Sequence, residues 1–454
     1  MKNKFKISGL ILILLAYGFT ASNAQTNITL KECLEYSLKN NINVKISNYD
    51  QEISEKRVKE TQGFYLPSVN LTASIDNNLI ITTQLLPAEM LGGAPGTFIA
   101  VRFGTPYNLA AGLSLTQRVY DAATLYDIKL SKINNELSKE VVQKTNESVI
   151  YGISFVYYGS MIIQIQKEML KTKLASTEEL LKSAELQFKN GVIKQIDVDK
   201  IRVTYNTTQS QLRQAELNYT QTINSLKFQM GMPLDSKVVL YDTIVERNIK
   251  NPTNIENTNY QIANTIDYKI KENNFNFMEM NKKKSLAAFQ PYVSVYGNLR
   301  VSAMRKEFNF LKAGEDWYPS SGIGIQLSLP IYMGNQRNNR VDQAQINIEK
   351  AKASLLNTEE TIKLDISNFE MKFKNAYDNI QNEKENMNLA EGIYNNVKLQ
   401  YQQGASSSIE LIQAESSYTL AQNTYLNKLF DLFIARIDLE KAQGNLVNFI
   451  NNLK

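Results

Sequence analysis

The chain has no histidine and one cysteine in 454 residues. Without histidine, Ser-His-Asp and Cys-His arrangements are excluded, and so are the usual zinc sites. Cys33 cannot form an internal disulfide. It has no histidine to activate it as a nucleophile, so it reads as a small, packed apolar residue. Carboxylate chemistry is what composition leaves open, and no apolar pocket that would tune an acid can be read from the sequence. No catalytic residue, metal ligand or cofactor motif is therefore assigned. Proline is scarce and uneven. Nine occur, at 67, 87, 95, 106, 233, 252, 291, 319 and 330, with none in 107–232 or 331–454. Proline inside a helix costs about 3 kcal/mol or more, so these two stretches are free to form very long helices. Their wealth of Lys, Glu, Gln, Leu and Ala agrees. A helix over 121–190 would run about 105 Å at about 1.5 Å per residue, more than a compact domain holds. An excess of one charge is also missing. Lys and Arg total 50 against 45 Asp and Glu, and without Lys2, Lys4 and Lys6 the formal charge of +5 falls to +2. Nucleic acid is not an expected partner.

Those three lysines precede an apolar run from Ile7 to Phe19 and the small-residue site Ser22-Asn23-Ala24. The run is too short to span a bilayer, so residues 1–24 read as a secretory signal peptide. The mature chain then begins near Gln25 and works outside the cytoplasm. No cysteine adjoins the cleavage site to carry a lipid anchor.

What is present is a long internal repeat. Phe188, Gly191, Ile196 and Asp197 align with Tyr401, Gly404, Ile409 and Glu410 at an offset of 213. Nearer the start of each half, Pro67 aligns with Pro291 at an offset of 224. The expected division is 25–250 and 251–454. Each half reads as an entry helix, two strands, a long helix, a tight turn at glycine and a return helix. Entry helices are expected near 29–62 and 258–288, long helices over 121–190 and 334–403, and return helices near 194–231 and 408–444. Gly191 and Gly404 would each end a long helix. Val198, Tyr205, Leu212, Tyr219 and Leu226 form a seven-residue ladder, matched by Leu411, Tyr418, Tyr425, Leu432 and Leu439, which favours coiled-coil packing. Entry plus return helix sum to about one long helix, so the two short helices are expected to stack end to end beside it.

Between the helices the period changes to two. Val69, Leu71, Ala73 and Ile75 alternate with polar residues, as do Leu109, Leu113 and Leu115 with small ones. Val293, Val295, Leu299 and Val301, then Ile323, Ile325, Leu327 and Leu329, repeat the pattern. Four strands of about ten residues suit a tilted bilayer crossing, with one apolar and one polar face. Taken strand by strand, a soluble sheet with one wet face fits the same pattern. Aromatics near the strand ends, such as Tyr65, Tyr120, Tyr292, Trp317 and Tyr332, suit interfacial girdles. Residues 77–106 and 303–320 read as linkers, the first enlarged by eleven residues around Pro87–Pro95. Four strands cannot close a membrane barrel, which needs about eight, so several chains must contribute.

The segments ITLKECLEYSLKNNINVKI at 28–46, LSLPIYMGNQRNNRVDQAQ at 327–345, FKNGVIKQIDV and YQQGASSSIEL resemble the TolC-like outer membrane efflux family over nearly the whole mature chain. That resemblance implies an α+β membrane protein: a long coiled-coil helical barrel joined to a transmembrane β-barrel, four strands per chain in a trimer. It implies a bacterial outer-membrane channel extending into the periplasm, with outer-membrane lipid around the strands. It also implies a periplasmic adaptor and an inner-membrane pump or ABC exporter as partners. The channel would be the passive exit duct of a tripartite efflux or type I secretion system. By the same resemblance Asp197, Tyr401 and Glu410 form a periplasmic gate, with Tyr401 the hydrogen-bond partner of Asp197. Gly191 and Gly404 mark turns that meet the adaptor. Gln413 and Ser406 depart from the family, standing where a second ring acid and an arginine can occur. Plainer roles stay open: N-terminal capping for Asp197 and Glu410, seam packing for Tyr401, and simple turns for the glycines. Two other classes stand beside the duct. A periplasmic coiled-coil scaffold or adhesin is opposed by the alternating strands, and a carboxylate enzyme by the long proline-free stretches.

Overall fold

A computed structural model of the chain describes residues 26–241 and 261–451. The expected signal peptide at 1–24 and the repeat boundary at 250/251 lie outside the described residues. The chain divides into two units, one of Met1–Asp50, Lys139–Lys271 and Leu355–Lys454, the other of Gln51–Ser138 and Glu272–Ser354.

The first half runs β1 (Thr26–Ile28), α1 (Leu30–Asn40), α2 (Ile42–Gly63), β2 (Ser68–Asn77), β3 (Thr83–Pro87), β4 (Phe98–Arg102), β5 (Tyr107–Asp121), α3 (Ala122–Lys189), α4 (Gln195–Met230) and β6 (Val238–Leu240). The second runs α5 (Ile266–Ala287), β7 (Tyr292–Arg305), β8 (Tyr318–Ser328), α6 (Gln336–Gln402), α7 (Ser408–Ala442) and α8 (Leu446–Asn451). Helices α3 and α6 hold 68 and 67 residues. They lie within the two proline-free stretches, as proline's absence leads one to expect.

The entry segment departs from expectation. It is two helices, broken at Asn41, because that residue's side chain caps in both directions. Its Oδ1 accepts from the backbone N–H groups of Asn43 (2.8 Å) and Val44 (3.3 Å), and its Nδ2 donates to the carbonyl of Gln229 (2.5 Å). The end of α4 and the start of α2 are thereby joined end to end. Gly231, at φ +71°, makes the junction possible, since a Cβ there would lie 2.5 Å from the Asn40 carbonyl oxygen. In the second half Gly444 (φ +69°) abuts Thr265 in the same way, with a built Cβ 3.2 Å from its Cα. The described part of the second entry segment starts later than 258, with a short 3-10 turn at Ile262–Asn264 before α5.

The core of the first unit gathers Cys33 and Leu34 from α1, Ile150, Ile153 and Tyr157 from α3, Leu226 and Met230 from α4, Phe373 from α6, and Leu432 and Leu439 from α7. Cys33 is fully buried there. By length and composition α3 is apolar enough to cross a membrane, yet Ile150, Ile153 and Tyr157 are spent on this core. Strands β1 and β6 pair in parallel beside it. On α4 the sequence ladder through Tyr205, Leu212 and Tyr219 is half-buried, and the deeper seam is Ile201, Thr208 and Ala215. Thr208 and Ala215 on that row are small enough for the helices to approach closely there.

In the second unit β2, β5, β7 and β8 form one antiparallel sheet in that order. Its register puts Leu71, Leu113 and Leu299 opposite one another, and Gly297 opposite Ile323. Directly paired residues point to the same face, so the four alternating patterns merge into one apolar face. That face is uncovered, with Leu71 72% and Ile323 86% exposed. On the other face glycine makes room for large neighbours: a Cβ on Gly324 would meet the Tyr296 ring, and one on Gly112 would meet Arg300. An irregularity between Arg118 and Tyr120 bends β5 where it leaves the sheet. The enlarged segment after β2 is more ordered than a linker. Strands β3 and β4 make a separate hairpin, capped by a 3-10 turn at Ala88–Leu91. Its neck is closed where Asn78 N–H donates to the Pro106 carbonyl (2.7 Å).

Candidate functional site

The tips of the two long hairpins come together within the first unit. Helix α3 ends in a Schellman turn: Val192 N–H donates to the Gln187 carbonyl and Gly191 N–H to Phe188, with Gly191 at φ +73°. Helix α6 ends identically, Ala405 to Gln400 and Gly404 to Tyr401, with Gly404 at φ +77°. Around these turns Leu180 and Ala184 of α3, Val198 and Ile201 of α4, Tyr394 and Tyr401 of α6, and Leu411 and Ala414 of α7 bury one another.

The two tip acids hold equivalent positions, the third residue of their helices, but use them differently. Glu410 turns back on its own helix. It accepts from Ser407 N–H (2.8 Å) and the Ser406 hydroxyl (2.6 Å), while the Ser407 hydroxyl accepts from Glu410 N–H (3.2 Å). This is a capping box. The hydroxyl and backbone donors hold the Glu410 carboxyl below the usual carboxylate range. The cap residue of α4 is Lys194, which offers no side-chain acceptor. Asp197 therefore reaches across, and its Oδ1 accepts from the hydroxyl of Ser408 at the start of α7 (2.6 Å). Lys200 Nζ lies 3.4 Å from the same oxygen. Ser408 first, with Lys200 assisting, holds the Asp197 carboxyl low.

Tyr401 does not make the expected hydrogen bond. Its ring is 4% exposed, and its hydroxyl is buried without a hydrogen-bond partner. Burial, and then the negative charge of Asp197, push its phenol above the ordinary tyrosine value. The hydroxyl partner of Asp197 is Ser408, which the sequence reading did not single out. What could have pointed to it is the serine run 406–408, since Glu410 engages only the hydroxyls of Ser406 and Ser407.

A second polar group escaped sequence reasoning. Between the tip cluster and the main core, Lys173 Nζ lies 3.2 Å from Glu415 Oε1 and donates to the Thr419 hydroxyl (2.9 Å). Lys398 donates to the Ser176 hydroxyl (2.6 Å), and Tyr394 stacks on Tyr418 with ring centroids 5.8 Å apart. These groups line a cavity of about 700 Å³ among α3, α6 and α7. Burial and Glu391 push the Tyr418 phenol up to about 12. Among the described residues no cluster of His, Cys, Asp or Glu could hold a metal ion.

Long paired helices in one unit and an uncovered sheet, apolar on one face, in the other define a class: outer-membrane channels of helical-barrel and β-barrel type. The profile of the outer membrane efflux proteins matches residues 34–232 and 283–445. The chain belongs to the outer membrane efflux protein family. The outer membrane protein TolC of Escherichia coli (strain K12) is 18% identical over 359 residues, 74% of this chain and 69% of that protein. The proteases secretion protein PrtF of Dickeya chrysanthemi is 18% identical over 362 residues, 76% of this chain and 73% of its own. Among solved structures, the CmeC outer membrane channel of Campylobacter jejuni superposes with a TM-score of 0.72 at 18% identity, covering 92% of this chain and 86% of that one. The protein is an outer-membrane channel for efflux or secretion.

Proposed function

We propose that three copies of the mature chain assemble into the passive exit duct of a tripartite efflux or type I secretion system. Each copy contributes four strands to one twelve-stranded barrel, and residues 1–24 are removed as a signal peptide. The observation that carries this is the sheet: four strands, one continuous apolar face left uncovered, and two unpaired edges, β2 and β8. Backbone edges in lipid go unpaired unless a neighbour supplies a strand. A periplasmic adaptor and an inner-membrane pump or ABC exporter supply energy and cargo, and the duct itself performs no catalysis. Its relative PrtF is named for secreted proteases, which supports secretion alongside efflux as the system served. The two halves, 25–250 and 251–454, are copies of one unit. Supporting this, α2 and α5 have 22 residues each at an offset of 224, and the helix-ending glycines 191 and 404, and 231 and 444, share an offset of 213.

The tips form the gate. Asp197 bonded to Ser408, with Tyr401 buried beside it and Glu410 fixed in its box, holds the hairpins of each chain together. Adaptor contacts at the Gly191 and Gly404 turns splay them, because the adaptor binds the open arrangement better than the closed one. The test is to purify the mature protein from detergent-solubilised membranes and record planar-bilayer conductance alongside native mass. A conducting trimer is expected. A soluble monomer without conductance overturns the duct.

A further inference from the structure

All four helices that join the sheet do so at the same end of its strands: α2 enters β2, β5 leads into α3, α5 enters β7, and β8 leads into α6. Charge is segregated along these helices by distance from that end. In the eight residues nearest the sheet, α2 carries Lys56, Arg57 and Lys59 against Glu60. In α5 the matching stretch has Lys282, Lys283 and Lys284 and no acid. In α6 it has Arg337 and Arg340 against Asp342, and in α3 Lys129 and Asp127, the latter ion-paired with Lys284 of α5 (2.6 Å). The net charge of this collar is +6. The next eight residues of the same helices sum to −5, with Glu52, Glu55, Glu272 and Glu279 prominent. The segments 78–106 and 306–317 at the opposite end of the strands sum to −1. Lys56, Arg57, Lys59, Lys283 and Arg340 are exposed.

Helix electrostatics account for only part of the collar. Basic residues suit the C-terminal ends of α2 and α5, but α6 begins at the sheet. There the helix dipole disfavours a cation in the first turn such as Arg337. The collar also adjoins aromatics of the interfacial kind. The Arg337 guanidinium lies over the Phe289 ring at 5.8 Å, and the Tyr65 hydroxyl donates to the Asp121 carbonyl (2.6 Å). A polybasic ring next to an apolar, aromatic-edged sheet matches the headgroup layer of a negatively charged leaflet.

We propose that this collar binds anionic phospholipid headgroups in the leaflet facing the helices, and so fixes the depth of the sheet in the bilayer. The inference rests on the sheet lying in a membrane, as read above. Full-length mature protein would be exchanged into micelles holding equal dioleoylphosphatidylglycerol and dioleoylphosphatidylcholine, and retained lipid counted by native mass spectrometry. The wild type is expected to retain the glycerol lipid roughly fivefold over the choline lipid. Combining K282Q, K283Q, K284Q, R337Q and R340Q should bring that ratio near one, while K282R, K283R and K284R together preserve it. Circular dichroism and native mass establish that each variant is folded. Excess inorganic phosphate should not displace the lipid, and displacement would make this a free-phosphate site and overturn the proposal. Equal retention of both lipids by the wild type, or unchanged selectivity in the folded five-residue variant, overturns it too. Conductance measured on the same samples separates the two ideas: lipid selectivity without conductance upholds the collar and sinks the duct.

Discussion

At the scale of single residues, the tip is decided by which side chain sits at each helix cap. Ser407 draws Glu410 into a closed local box, whereas Lys194 cannot, and Asp197 is left to bond Ser408 of the other hairpin. The positions of Asp197, Tyr401 and Glu410 beside the tip glycines were legible in the sequence. The Ser408 contact was not, because it joins residues 211 apart and depends on a cap that is missing. Replacement S408A should weaken the closed tip by about 1 kcal/mol, a charge-assisted bond discounted for partial exposure. That is a rise of about fivefold in open population, read as channel open probability. Y401F should leave gating nearly unchanged and stabilise the fold slightly, since it removes a buried hydroxyl that has no partner. An increase in opening for Y401F equal to that for S408A would return Tyr401 to the latch. The bond also makes the tip sensitive to acid. A carboxyl whose folded value is depressed stabilises the closed state above its unfolded value, about 3.9 for Asp. That contribution fades as the pH falls through the lower folded value. Opening should therefore rise only below about pH 4, and S408A should blunt the rise.

At the scale of elements, four helices end in glycine turns of the same kind, and their surroundings rank them. Gly191 and Gly404 have nothing within 4 Å of a built Cβ, so alanine there meets only the left-handed backbone penalty, about 1 kcal/mol. Gly231 would drive a methyl to 2.5 Å from the Asn40 carbonyl, at the joint between α4 and α2. G231A should cost about 3 kcal/mol or more, with G444A between. Thermal unfolding of the four alanine variants in one detergent would check the order, and a G191A as damaging as G231A would refute it. The long helices were readable because proline is absent from them, and the return helices because a heptad row persists in each. The break at Asn41 was not, since asparagine inside a polar helical stretch is unremarkable until its amide is seen bonding Gln229. The β3–β4 hairpin was hidden for a similar reason. Its strands pair with each other and not with the main sheet, and the Gly and Pro between them read as a linker.

At the scale of the whole molecule, the alternation of residues 69–75, 109–115, 293–301 and 323–327 was plain in the sequence, while the agreement of all four strands on one apolar face required the register. That agreement fixes what the chain cannot do alone. Strands β2 and β8 lie at opposite edges, three interstrand spacings apart, or about 14 Å at about 4.8 Å each. Closing the sheet therefore needs other chains, and a cysteine pair across the seam tests it. Leu71 of β2 would be changed to cysteine together with Ile323, Ile325 or Leu327 of β8 in turn, all on the apolar face; Cys33 is buried and can stay. Disulfides need Cα atoms within about 7 Å, so no bond within one chain can form. One pairing should yield covalent dimers and trimers on non-reducing gels, and its identity reads out the register between neighbouring chains. Failure of all three in membranes that contain folded protein would mean that the β2 and β8 edges do not meet, and the shared barrel would have to be abandoned.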